Sequence, residues 1–245
     1  MLLAGKKYLA ADLKRLCKDC GLSTTGTKQA LSDRIASHLE NVKPLSNIIS
    51  LDLGYQNLAM AHIEQVHNNK WELREWRRFS ISIPSPMCPR LLALNVKAAL
   101  SDIAPKDSSS ILLVEQQRQR SLGAHILEPI LLVLKIEALT YGFFPESAYP
   151  VLPTKVSEHF RLDFFIDTDC KKAKKLASVK YVQSHIFDST INHLISIPER
   201  FKMLFDREKK KDDLADSLLQ ALAYSQWHNN SLVLQKHLLP LPVVK

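Results

Sequence analysis

The sequence has few cysteines and no long apolar run, and each shortage excludes a class of protein. Four cysteines at irregular spacing in 245 residues do not make the framework of a disulfide-stabilised secreted domain, so a reducing compartment is favoured. The richest apolar stretch, residues 126–139, is interrupted by charged residues and a proline. It therefore falls short of the roughly 18 apolar residues that a membrane span needs, and we expect no membrane partner.

An excess of positive charge is the main feature of the composition. The chain has 33 Lys and Arg against 25 Asp and Glu, a net charge of +8. Residues 1–45 alone carry eight basic and four acidic side chains, a net +4. The length suits one domain with a small accessory domain, and an apolar fraction of 46% supports a packed core. The expected partner is a polyanion, most commonly nucleic acid.

The N-terminal segment predicts two short helices. Leucines at helical spacing predict a first helix that ends at Gly21, and a second apolar repeat predicts another over residues 27–39. Residues 13–35 closely resemble the SAP motif, a small helical DNA-binding module. The resemblance implies phosphate contacts that give affinity without reading sequence, and the residues concerned are Lys14, Lys28 and Arg34. A solvated basic face is the alternative interpretation.

The rest of the chain predicts an α/β domain. Three apolar strands follow one another over residues 48–54, 58–63 and 71–81, and helices then alternate with strands. This order predicts a mixed sheet flanked by helices. The expected domains are the helical module in 1–40, a linker in 41–47, the α/β domain in 48–230 and a tail in 231–245.

Several acids lie in apolar surroundings. Asp52 is inside the first strand, Glu115 ends a later strand, and Asp213 and Asp216 are one turn apart on the final helix. Asp212 projects to the same helical face and is the alternative to Asp213, which we favour. Clustered carboxylates repel one another unless cations neutralise them, and oxygen ligands suit Mg²⁺ or Mn²⁺. Two such ions support phosphodiester hydrolysis.

The acids other than Asp216 also have a structural interpretation. Asp52 precedes a glycine and could cap a turn, whereas Glu115 could pair on the surface with Arg118 or Arg120. Asp212 and Asp213 could be acids that the helix dipole favours at an N-terminus. The occurrence of all these acids together favours the catalytic interpretation.

Three motifs carry a family resemblance. Residues 50–54 (SLDLG), 113–117 (LVEQQ) and 213–218 (DLADSL) resemble, in order, the acidic motifs of RuvC-type Holliday-junction resolvases, which have an RNase H-like fold. With the SAP-like module, the chain is most similar to the yeast mitochondrial branch. The resemblance implies a homodimer that cuts four-way DNA junctions symmetrically, in the mitochondrial matrix. It also implies Mg²⁺ or Mn²⁺, two ions per active site, and no small-molecule organic cofactor.

The resemblance also assigns roles to individual residues. It implies that Asp52 is the ligand shared by both ions, with Glu115, Asp213 and Asp216 completing the set. It also matches Lys155 to a basic position near the family's active site. From the sequence itself, Arg118 and Arg120 directly follow Glu115 and could hold phosphates near the cut, and Lys171, Lys172, Lys174 and Lys175 could line a junction arm. A solvated helix face is the alternative for the four lysines in 171–175.

Two other functions fit the same features. One is a non-catalytic architectural protein that binds DNA junctions, which the retained acids disfavour. The other is an RNase H-type nuclease that acts on RNA–DNA hybrids. Only the choice of substrate distinguishes such a nuclease from a resolvase. The first residues make a poor transit peptide because they lack arginine, so the matrix location rests on the resemblance.

Overall fold

The structure is a computed structural model, and it describes residues 8–55, 57–66, 70–105, 107–116, 127–166, 171–188 and 195–238. These residues divide into two compact units. The larger unit runs from Leu45 to Leu222, and the smaller one combines the residues up to Pro44 with those from Ala223 onward. None of the described helices is long and apolar enough to cross a membrane.

The larger unit is built on a six-stranded mixed sheet. Its strands are β1 (Asn47–Leu53), β2 (Asn57–Gln65), β3 (Trp71–Ser80), β4 (Ser110–Glu115), β5 (Ala148–Val151) and β6 (Ile195–Ser196). The spatial order is β5-β4-β1-β2-β3-β6. β1, β2 and β3 are antiparallel neighbours, whereas β4 runs parallel to β1 and β5 runs parallel to β4. The predicted mixed α/β sheet, with an N-terminal pair of helices, is confirmed.

Eight α-helices are formed by the described residues. They are α1 (Ala10–Asp19), α2 (Lys28–Asn41), α3 (Pro89–Ser101), α4 (Leu127–Phe143), α5 (Pro153–His159), α6 (Lys171–Tyr181), α7 (Glu199–Arg207) and α8 (Lys211–Leu238). A 3-10 turn (Leu162–Phe165) follows α5, and a π-helical turn (Val182–Ile186) extends α6.

The alternation of side chains along β1 assigns its two faces. Ile49, Leu51 and Leu53 enter a buried cluster with apolar residues of α3 and α4. Because successive strand residues point to opposite faces of a sheet, Asp52 projects from the other face. The acid is thus on the side of the sheet away from α3 and α4.

The opposite face of the sheet is covered by α7 and α8. The indole Nε1 of Trp76 on β3 donates to the Leu214 carbonyl at 3.0 Å, and its ring stacks on Phe205 of α7 at 5.0 Å. Gln220 donates to the Leu51 carbonyl at 3.3 Å. These contacts hold α8 against β1 and β3.

The smaller unit has a core of its own. Its buried residues come from α1, α2 and the end of α8, namely Leu13, Cys17, Leu31, Ile35, Leu39 and Leu238. The Asn230 side chain donates to the Asp19 carbonyl at 2.8 Å, and that of Gln235 donates to the Leu39 carbonyl at 2.6 Å. Side chains of α8 thus satisfy carbonyls at the ends of α1 and α2, which helices leave without internal partners. The boundaries expected from the sequence stay a prediction.

The turn after α1 requires a glycine, which yields a stability test. Gly21 has φ +67°, and a Cβ there would lie 2.5 Å from the Trp227 ring. We expect Gly21→Ala to lower the free energy of unfolding by about 2–4 kcal/mol, through backbone strain and overpacking. Urea denaturation measures the change. Gly142→Ala in α4, where a Cβ meets no atom within 4 Å, is the control and should be neutral or stabilising. Equal losses in both variants would contradict the packing.

Candidate active site

Two acids lie side by side at the ends of parallel strands. In the register of β1 with β4, Leu51 is opposite Val114, so Asp52 and Glu115 are the next residues of the two strands. Val114 packs in the cluster with α3 and α4. By alternation Glu115 therefore projects from the same face as Asp52. The strand register brings together two residues that are far apart in the sequence.

The two carboxyl groups are hydrogen-bonded to each other, which requires one proton between them. Burial first, and then the charge of Glu115, raise the pKa of Asp52 well above its usual value. Burial also raises the pKa of Glu115, although its hydrogen bond with Asp52 opposes the change. The pair therefore resists losing its last proton.

A third acid of the site comes from α8. Burial raises the pKa of Asp216 to about 7, and the charge of Asp52 adds to the effect. Asp212 and Asp213, in the first turn of α8, raise it further. Ser178 of α6 donates a hydrogen bond that acts in the opposite direction. Asp216 is thus electrostatically linked to the strand pair.

Asp213 is held by an arginine of β3. Arg78 Nε lies 3.1 Å from Asp213 Oδ2, and Arg78 Nη1 donates to Glu208 Oε1 at 2.9 Å. Glu208 Oε1 also accepts from the backbone N–H groups of Lys209 and Lys210, at 2.9 and 3.2 Å. Arg78 therefore ties β3 to the start of α8 and balances one carboxylate charge there.

The predicted phosphate contacts of the smaller unit differ in exposure. Lys14 of α1 and Lys28 of α2 are exposed. Arg34, in contrast, donates through Nη1 to the carbonyls of Ser23 and Thr25, at 2.7 and 3.0 Å. Its guanidinium thus closes the turn between α1 and α2, so it has a structural function in addition to the predicted one.

The predicted basic residues near the acids are only partly described. Lys155 lies on α5, which begins two residues after Val151, and Val151 pairs with Glu115. Lys155 is therefore at the same end of the sheet as the acids. Arg118 and Arg120 lie outside the described residues, as do the side chains of Lys171, Lys172, Lys174 and Lys175.

The sequence interpretation missed three residues around the acids, namely Arg78, Ser178 and Glu137. Glu137 of α4 is buried, and its charge is one of the causes that raise the pKa of Glu115, after burial and Asp216. Strand alternation offered a signal for Arg78, which shares its face of β3 with the buried Trp76. Ser178 has no comparable signal, because nothing local marks a serine in a basic helix as a partner of an acid.

The cluster's chemistry is that of hard oxygen ligands. Every acid of the cluster supplies carboxylate oxygens. Burial and mutual repulsion make the ionisation of these groups costly, and a bound divalent cation would lower that cost. No three His, Cys, Asp or Glu side chains in the described part of the chain already lie close enough together to hold a metal ion. The donor types therefore fit a metal, whereas the hydrogen bond of Asp52 with Glu115 would have to give way on ligation.

The chain matches two families of known proteins. Residues 10–40 match the SAP domain family, and residues 48–158 match the family described as "Mitochondrial resolvase Ydc2 / RNA splicing MRS1". The predicted resemblance is confirmed. A relative from Schizosaccharomyces pombe, "Cruciform cutting endonuclease 1, mitochondrial", is 24% identical, over 88% of this chain and 90% of its own.

The fold matches a solved structure of similar length. The crystal structure of the yeast mitochondrial Holliday junction resolvase Ydc2 superposes with a TM-score of 0.67 and 20% identity. The match covers 94% of this chain and 99% of that chain. The two proteins therefore share a fold over nearly their whole lengths.

The raised pKa of Asp216 predicts how stability changes with pH. The folded protein holds this proton more tightly than the unfolded chain, so its contribution is present below about pH 4 and is lost as pH rises through about 7. In EDTA at pH 8, we expect Asp216→Asn to exceed the wild type in free energy of unfolding by about 1–3 kcal/mol. The difference should shrink at pH 5, as measured by urea denaturation.

The control for this experiment is an exposed acid of α7. The Asp206 side chain is 65% exposed, and Asp206→Asn should change stability by less than about 0.5 kcal/mol at either pH. If Asp216→Asn were destabilising at pH 8 as well as at pH 5, the result would contradict a raised pKa of Asp216 in the folded protein.

Proposed function

We propose that this protein is a structure-selective DNA endonuclease that resolves four-way (Holliday) junctions by paired, symmetric, metal-dependent hydrolysis of phosphodiester bonds. The observation that carries the proposal is the gathering of Asp52, Glu115 and Asp216, all with raised pKa values, at one end of the sheet. The match to a family named for resolvases supports it, as does a relative named as a cruciform-cutting endonuclease.

The proposed cofactor is Mg²⁺ or Mn²⁺, with two ions per active site. Asp52, Glu115 and Asp216 would hold it together with one acid of the first turn of α8. When bound, such ions lower the pKa of a coordinated water and stabilise negative charge on the leaving oxygen. The chain's own part is to supply ionised carboxylates in fixed positions. Ser178 orients Asp216 through its hydrogen bond.

We propose Asp213 as the fourth ligand, with Asp212 as the alternative. The charge of Asp213 contributes to the raised pKa of all three other acids. The charge of Asp212 contributes to the raised pKa of Asp52 and of Asp216. Asp213 is therefore the more central of the two neighbours. Arg78 would hold it in position through the 3.1 Å contact.

We propose DNA contacts near the acids and, separately, on the smaller unit. Lys155, at the same end of the sheet as Glu115, would bind a phosphate near the cut, as would Arg118 and Arg120. Lys14, Lys28 and Arg34 of the smaller unit would bind phosphates. The lysines of 171–175, in the larger unit, would line a junction arm. We propose that two copies form a homodimer, one site for each cut, in the mitochondrial matrix.

Cleavage of defined DNA substrates tests the proposed function. With Mg²⁺, the full chain should cut a four-way junction at symmetric positions and leave a linear duplex of the same sequence intact. Asp52→Asn and Asp216→Asn should each lower the cleavage rate at least about 100-fold, because a ligand is lost. Junction affinity should stay within about 3-fold, since removing a carboxylate does not weaken phosphate contacts. Denaturing gels measure cleavage, and fluorescence anisotropy measures affinity.

The outcomes separate the alternative functions. Asp206→Asn, the exposed acid, should cut at the wild-type rate. Wild-type cleavage by Asp216→Asn would contradict the role of the acid cluster. Faster cleavage of an RNA–DNA hybrid than of the junction would favour an RNase H-type nuclease. Tight junction binding by the wild type without any cleavage would favour an architectural protein.

The two neighbouring acids of α8 form a matched pair for assigning the fourth ligand. Asp213→Asn should lose at least about 100-fold in Mg²⁺-dependent cleavage, because the charge of Asp213 acts on all three other acids of the cluster. Asp212→Asn, the same chemical change one residue away, should lose less than about 5-fold. Rates are compared over a range of Mg²⁺ concentrations on one junction. The reverse order of effects would assign the ligand to Asp212.

A further inference from the structure

An exposed aromatic ring stands on the 3-10 turn after α5. The Phe164 side chain is 74% exposed, and the Arg161 guanidinium carbon lies over its ring, 5.7 Å from the centroid. Arg161 itself has φ +51°, in the left-handed region that non-glycine residues occupy at a cost of about 1–2 kcal/mol. Strain of this kind is concentrated at functional positions.

The turn that carries this ring is firmly anchored. Phe165, the next residue, packs edge-on against Tyr181 at 5.4 Å and against His185 at 5.3 Å. Phe160, just before the turn, contacts the same Tyr181 at 5.0 Å. Phe165 and, four residues before Phe164, Phe160 are therefore packed in an aromatic cluster, whereas the Phe164 ring is exposed to solvent. The anchored backbone presents an exposed apolar ring, which lowers the entropic cost of stacking a flat partner on it.

The aromatic cluster is joined to the acid site through α6. Ser178 of α6 donates its hydrogen bond to Asp216, and Tyr181 follows three residues later, about 4.5 Å further along the helix axis. Residues 161–175 carry five basic and three acidic side chains, a net positive charge. Four of the five basic side chains are the lysines of 171–175. The ring belongs to the same unit as the acids.

We propose that Phe164 and Arg161 form a stacking site for a nucleobase that has lost a stacking neighbour, as bases do at the branch point of a DNA junction. The inference rests on the proposed function only in taking branched DNA as the substrate. Aromatic stacking on a base is worth about 1–3 kcal/mol and tolerates any base, because every base has a π-face. Arg161 adds a cation that attracts both the ring and the nearby phosphates.

Binding without cleavage tests the site. In the Asp216→Asn background, fluorescence anisotropy compares a four-way junction with a linear duplex of the same sequence. Phe164→Ala should weaken junction binding by about 5- to 100-fold and leave duplex binding within about 2-fold. Phe164→Trp should keep junction affinity, whereas Phe164→Leu should behave as Phe164→Ala, because leucine is apolar but has no π-face.

A neighbouring residue and a base analogue sharpen the result. The Leu176 side chain of α6 is 53% exposed, and Leu176→Ala should bind the junction as the parent does. The fluorescence of 2-aminopurine placed at the branch point should be quenched when the Asp216→Asn protein binds. It should be quenched less when the protein also carries Phe164→Ala. Unchanged junction affinity in Phe164→Ala would overturn the proposal, as would wild-type junction affinity in Phe164→Leu. Equal losses of affinity for the junction and the duplex would also overturn it, as would equal affinity of the Asp216→Asn protein for the two DNAs. A wild-type chain that fails to cut leaves these binding outcomes valid.

Discussion

Electrostatic repulsion among buried carboxylates is the constraint around which the larger unit is organised. Asp52 and Glu115 share a hydrogen bond at the ends of two parallel strands, and Asp216 approaches them from α8 with a pKa of about 7. Such a cluster lowers the stability of the folded chain, because each ionised group destabilises the others. Retaining it without a binding partner would be costly, and this cost is the physical reason to expect a cation there.

The surrounding residues limit that cost without removing it. Arg78 balances the charge of Asp213, and Ser178 donates to Asp216, yet neither contact restores the ordinary pKa of Asp216. Trp76 fixes the start of α8 through the Leu214 carbonyl. The acids are therefore held in place by neutral and cationic neighbours while a net negative charge remains, which suits a site that binds metal and then phosphate.

Local periodicity explains why much of this was predictable. Asp52 interrupts an apolar strand, and the spacing of Asp213 and Asp216 places them one turn apart, so period-two and period-3.6 patterns identified the candidate acids. The same patterns predicted the mixed sheet and the two N-terminal helices, which are confirmed. The assignment of these acids as metal ligands stays a prediction. Contacts such as Arg78 with Asp213 were not predictable, because they join residues 135 positions apart through packing.

Arg34 illustrates the boundary between the two levels of information. Its position in the SAP motif predicted a phosphate contact. In the folded turn, its guanidinium also donates to the carbonyls of Ser23 and Thr25. The order of residues along the chain was sufficient for the mixed sheet and the two N-terminal helices and for naming candidate acids, because backbone periodicity is a local property. It did not predict α5, α7 or β6. Strand register and helix packing set which acids meet, which cations balance them and which aromatic ring stays exposed, because those outcomes depend on distances between segments remote in the chain.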